Sequence, residues 1–98
     1  MYAVALVRYR KAFDEILPHV EAHRAYLRQL KERGWLIASG PLDPRYGGAI
    51  LFRLPDDQDA RAVLDGIRAA DPFVLAGVAQ YEAWPWLPNI GLEELQRL

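Results

Sequence analysis

Residues 2–9 read Tyr-Ala-Val-Ala-Leu-Val-Arg-Tyr, a short run of β-formers that is apolar on both alternations. Successive side chains of a strand point to opposite faces of its sheet. Tyr2, Val4 and Leu6 therefore share one face, and Ala3, Ala5 and Val7 share the other. A strand of this kind needs cover on both sides. That need constrains the architecture more than any other feature of the chain.

The remaining elements follow from periodicity and punctuation. Residues 13–17 read as a turn. Pro18 suits a helix start, where its missing N–H costs nothing. Val20, His23, Leu27 and Leu30 then recur at helical spacing, opposite Glu21, Arg24, Arg28, Lys31 and Glu32. Gly34 stands where a helix would end in the left-handed conformation. Residues 35–42 read as a second strand that runs out at Gly40-Pro41, residues 43–48 as a loop, and residues 49–54 as a third strand. Asp57 is the expected N-cap of a second helix marked by Ala60, Val63, Leu64 and Ile67. That helix must stop near Asp71, because Pro72 disfavours helical geometry in the residue before it. Residues 78–86 form a fourth strand. Residues 87–98 are a tail with room for a helical turn or two, expected to pack on the domain or on a dimer partner.

The order βαββαβ predicts an α+β, ferredoxin-like fold, with a four-stranded antiparallel sheet and two helices on one face. Residues 1–86 make up the domain. Helices on one face leave the second apolar face of strand one uncovered. Another copy of the chain is the economical cover, with Trp84, Trp86 and the tail contributing, so a homodimer is expected.

Composition narrows the partners. The 98 residues fit one domain, and 52% of them are hydrophobic. Twelve basic and 13 acidic residues leave a net charge of −1, and the arginines are scattered rather than gathered, so no nucleic-acid partner is expected. There is no cysteine, which rules out a disulfide framework and fits a cytoplasmic location. The apolar start stops at Arg8, too short for a membrane span, and no membrane association is expected.

Topology gathers the chemistry-bearing residues. The first helix begins, and the second helix and second strand end, at one edge of the sheet. His23, Ser39-Gly40-Pro41 and Asp71-Pro72-Phe73 therefore converge there. A carboxylate beside an imidazole fixes its tautomer and favours its protonated form. His23 with Asp71 is thus a candidate proton-transfer pair. The same residues also fit a structural histidine and a turn-forming aspartate. Ser39 and the Gly40 backbone are candidates to hold a polar group, and Pro41 and Phe73 to complete a substrate pocket. Gly40 and Pro41 are expected to hold a backbone bend at the pocket edge, strained if Gly40 takes positive φ. His19 and His23 stand four apart with Glu15 nearby, but no further ligand is apparent and no metal is expected. Gly47-Gly48 lacks the rest of a phosphate loop, and no cofactor motif is visible.

The stretch His23-Arg24-Ala25-Tyr26-Leu27, then Gly34, Ser39-Gly40-Pro41, Asp71-Pro72-Phe73 and Ala76-Gly77-Val78, resembles the YciI-like (YCII-related) family. The resemblance runs from Met1 to about Trp86. It implies a dimeric α/β-barrel, akin in fold to muconolactone isomerase, with a pocket at His23 and Asp71. A dehydrochlorinase of chlorinated hydroxyquinones has been placed in this family. The loop between residues 42 and 48 is short here, so substrate identity does not carry over.

The resulting expectation is a cofactor-independent enzyme for a small, aromatic or lactone-like molecule. It would isomerise or eliminate by proton transfer, with His23 as base or acid and Asp71 orienting it. A non-catalytic small-molecule-binding or accessory domain is the alternative. A monooxygenase on the same fold is a weaker third reading.

Overall fold

The computed structural model describes residues 1–98. Four strands, β1 (Tyr2–Tyr9), β2 (Leu36–Pro41), β3 (Gly47–Arg53) and β4 (Ala79–Trp86), form one antiparallel sheet in the order β2-β3-β1-β4. The long helices are α2 (Val20–Glu32) and α3 (Ala60–Ala70). Short helical turns α1 (Phe13–Ile16), α4 (Pro72–Leu75) and α5 (Leu92–Gln96) complete the chain. This is the ferredoxin-like arrangement, with β1 and β3 central because the two βαβ crossovers interleave. No helix is long and apolar enough to cross a membrane.

Alternation along the strands divides the sheet. Ala3, Ala5 and Val7 of β1, Ile50 and Phe52 of β3, and Ala79 and Tyr81 of β4 are buried beneath the helices. Leu27 and Leu30 of α2, and Leu64 and Ile67 of α3, meet them from above. On the other face Tyr2, Val4, Leu6, Ala49 and Leu51 are only half-buried, and Trp84 and Trp86 are 44% and 40% exposed. Arg53 extends from this face to the tail, where its guanidinium donates to the Leu95 and Leu98 carbonyls at 2.6 and 2.7 Å.

Gly34, at φ 86°, ends α2 in the left-handed region. The Gly34 and Trp35 amides turn back to the Lys31 and Leu30 carbonyls, the paired bonds of a Schellman motif.

Several boundaries differ from the sequence reading. Residues 13–17 are helical rather than a turn: α1 runs through a 3₁₀ turn, Leu17–His19, directly into α2. Burial of Ile16 in the core holds this extra segment down, a tertiary effect that local propensity does not register. Gly47 and Gly48 belong to β3 rather than to the loop, paired with Arg8 and Val7 of β1. At Gly47 a Cβ would run into the Val7 carbonyl, so the close approach of β1 requires glycine. Asp59, not Asp57, precedes α3, whose register is set by buried Ala60, Leu64 and Ile67. Gly40 does not adopt positive φ. It pairs with Ala49 inside β2, and a Cβ there would meet nothing within 4 Å. The expected strained bend is therefore absent: continued pairing with β3 holds this backbone in the sheet.

Candidate functional site

Asp71 closes α3 and caps α4. Pro72 forces it into extended geometry, φ −70° and ψ 127°, and its side chain turns back to accept the Phe73 amide at 2.8 Å. The same carboxylate, 0% exposed, faces His23, whose Nδ1 lies 2.9 Å from both oxygens. The Tyr81 hydroxyl donates a short hydrogen bond to Oδ2. Three donors thus surround one acceptor-only group, the pairing a buried carboxylate needs.

Three elements position His23. Its place on the apolar stripe of α2 turns it inward, so that only 14% of its side chain is exposed. Phe73 lies flat against the imidazole, with centroids 3.9 Å apart and planes within 10°. Tyr9 of β1 meets Phe73 edge-on at 5.9 Å. The imidazole is therefore clamped by a stack on its face and a carboxylate on its edge. With the carboxylate as acceptor, the neutral form of the imidazole has its proton on Nδ1 and its lone pair on Nε2. Nε2 makes no hydrogen bond within the chain, yet no buried side-chain nitrogen lacks a partner, so Nε2 is open to an incoming group.

His23 lines a cavity of about 180 Å³ between α2 and the β2–β3 edge. Ser39, Gly40 and Pro41 form one wall, Val7 and Ile50 the floor, and Phe73 the back. The structure therefore brings together every candidate substrate-pocket residue with His23, while Asp71 stands behind His23 rather than in the wall. His19 does not line the cavity. Arg24 and Arg45 do.

Electrostatics follow from burial around Asp71. Desolvation first, then the Asp71 charge and the hydrogen bond to it, push the Tyr81 phenol far above its usual range, so Tyr81 is a fixed donor. Tyr26, which donates to the Ile67 carbonyl at 2.8 Å, is also raised, by desolvation and by Asp71, with Arg33 pulling the other way.

Tyr81 is the member of this cluster that the sequence reading missed. The alternation Ala79, Tyr81, Ala83 places it on the helix side of β4, which was a legible signal. Its contact with Asp71 depends on the packing of α4 against that strand.

A search of the curated proteins finds no significant match. Among solved structures, this chain is similar to 5-chloro-2-hydroxyhydroquinone dehydrochlorinase (TftG) from Burkholderia phenoliruptrix AC1100, in complex with 2,5-dihydroxybenzoquinone. The identity is 19%, over 91% of this chain and 96% of that one, with a TM-score of 0.74, a likeness of fold. The YCII-related domain matches residues 1–87, nearly the whole sheet-and-helix unit described above. The chain belongs to the YCII-related family.

Proposed function

We propose that this protein is a cofactor-independent enzyme that moves a proton on a small cyclic molecule, in an elimination or an isomerisation, with His23 Nε2 as the base. The observation that carries this reading is the buried Asp71 carboxylate on Nδ1 of a histidine that lines the cavity and whose Nε2 has no partner in the chain. Nε2 removes a proton from a hydroxyl or an acidic C–H of the substrate. The released electron pair moves into the ring. In an isomerisation the proton returns at another ring atom; in an elimination from a chlorinated quinol it returns at the chlorine-bearing carbon, and loss of a second hydroxyl proton then expels chloride and leaves the quinone. Asp71 stabilises the imidazolium formed in between, as a buried orienting carboxylate does in other His–Asp pairs. Phe73 holds the ring in plane, and the Ser39 hydroxyl at the wall can donate to a substrate oxygen. A chlorinated hydroxyhydroquinone is the first substrate to try, by analogy with the dehydrochlorinase of similar fold.

The working unit in this proposal is a homodimer joined through the open sheet face. The half-buried apolar strip of Val4, Leu6, Ala49 and Leu51, with exposed Trp84 and Trp86, is the surface that requires cover. An interface of about 1,600 Å² or more is expected for a stable pair. The tail after residue 87, tethered by Arg53, lies at the rim of this face and packs beside the partner.

Chloride release from 5-chloro-2-hydroxyhydroquinone, followed for the native protein and for His23→Gln and Asp71→Asn, tests the chemistry. Loss of the base should lower kcat/KM by roughly 10²–10⁴. Turnover that survives His23→Gln unchanged would refute the assignment. Binding of the quinol or the quinone without any turnover would favour the accessory, ligand-holding reading instead.

A further inference from the structure

The cavity at His23 carries positive charge that the composition does not account for. Arg24 and Arg45 both line it, and no Asp or Glu does. Neither guanidinium is in an ion pair. Arg45 rests 5.1 Å from the centre of the Phe13 ring, which orients it without neutralising it. The Asp71 carboxylate is enclosed by its three donors.

A second groove, of about 210 Å³, continues outward from the first. Arg24, Leu27 and Ser39 belong to both, and the outer groove adds Arg28 and Lys31. Arg24, Arg28 and Lys31 stand at helical spacing on α2, so they form one row leading to the cavity. Arg28 and Lys31 are likewise in no ion pair. The chain as a whole has a net charge of −1, so two unpaired cations in the cavity wall and two more in the adjoining groove are a segregation of charge.

From this juxtaposition we infer that the His23 site takes a ring-sized organic anion, a carboxylate or an ionised phenol, and that Arg24 and Arg45 select it by its charge. The inference rests on the reading of this cavity as the ligand site. Size supports a single ring: the cavity holds about 180 Å³, and one of about 150 Å³ accommodates benzene. A planar guanidinium matches the two oxygens of a carboxylate. The outer row of Arg28 and Lys31 raises the local concentration of anions and speeds their entry. A negative ligand charge held beside Nε2 also favours the imidazolium that proton transfer creates.

Benzoate and its neutral counterpart benzamide separate charge from ring shape. Titrated into the native protein and followed by NMR or calorimetry, benzoate should bind at least about tenfold more tightly than benzamide, because only the anion makes charge-assisted hydrogen bonds to the guanidinium groups. Arg24→Gln and Arg45→Gln should each weaken benzoate about tenfold or more and leave benzamide unchanged. Arg61→Gln, on the exposed side of α3, should alter neither. Equal affinities for the two probes, benzoate binding indifferent to both arginine changes, or no benzoate binding at all would overturn the inference. Because the readout is binding, arginine-dependent capture of benzoate stands even if His23 transfers no proton. Turnover of neutral rings unaffected by the arginine changes would sink the charge selection and leave the proton chemistry intact.

Discussion

The two faces of the sheet use the same strands and reach opposite outcomes. Beneath the helices, Phe52, Ile16 and Leu30 are fully enclosed, and even the charged Asp71 is completely buried with each of its donors in place. On the other side, equally apolar residues of the same strands stay half-open, and two tryptophans face outward. A single chain therefore completes one face and leaves the other unfinished. The finished face holds the His23–Asp71 pair on which the proposed proton transfer depends, and the unfinished one holds the surface through which the proposed dimer would form. Changes on the two faces should accordingly show up in different measurements.

Phe73→Ala should separate them most clearly. Phe73 is buried, stacks on His23 and supports Tyr9, so its truncation should cost about 3–5 kcal/mol in urea unfolding. Trp84→Ala, on the open face, should cost far less in the dissociated chain. Comparable losses in the two variants would erase the contrast.

Leu51→Asp probes the open face in the other direction. A charge at the centre of the apolar strip should weaken self-association about 100-fold or more, equivalent to about 2.7 kcal/mol. The circular dichroism spectrum should stay native. Sedimentation that reports twice the chain mass for the native protein and one chain mass for the variant is the expected result. A native monomer at micromolar concentration would contradict the dimer.

The smallest effect concerns the finished face at high pH. Tyr81 is raised far above the ordinary tyrosine range, so the folded state keeps a proton that the unfolded state releases. Its contribution is fully present below about pH 10 and is lost as pH rises further, at about 1.4 kcal/mol per pH unit. Stability measured between pH 9 and 11 should therefore fall more steeply in the native protein than in Tyr81→Phe. Equal slopes would mean that Tyr81 is not locked to Asp71.

Much of this was legible in the sequence because it depends on local pattern. The period-two alternation of β1 announced a doubly apolar strand, and Gly34 marked the end of α2. Topology alone carried His23, Ser39-Gly40-Pro41 and Asp71 to one edge. What escaped depends on tertiary packing. Ile16 stabilises a helical turn whose own sequence is indifferent. Gly47 is required by the approach of β1, not by a turn. The stack of Phe73 on His23 and the bond from Tyr81 arise only when α4 settles between α2 and β4. The selection of Arg24 and Arg45 from scattered basic residues likewise needs the cavity to be seen.

The proposed chemistry requires Asp71 to hold the proton on Nδ1 of His23 and to leave Nε2 as the acceptor. Long-range proton–nitrogen NMR of the neutral imidazole reports the tautomer directly, with His19 as an internal comparison. Neutral His23 should be protonated at Nδ1 in the native protein and should lose this fixed preference in Asp71→Asn with the fold intact. A native His23 protonated at Nε2 would contradict it.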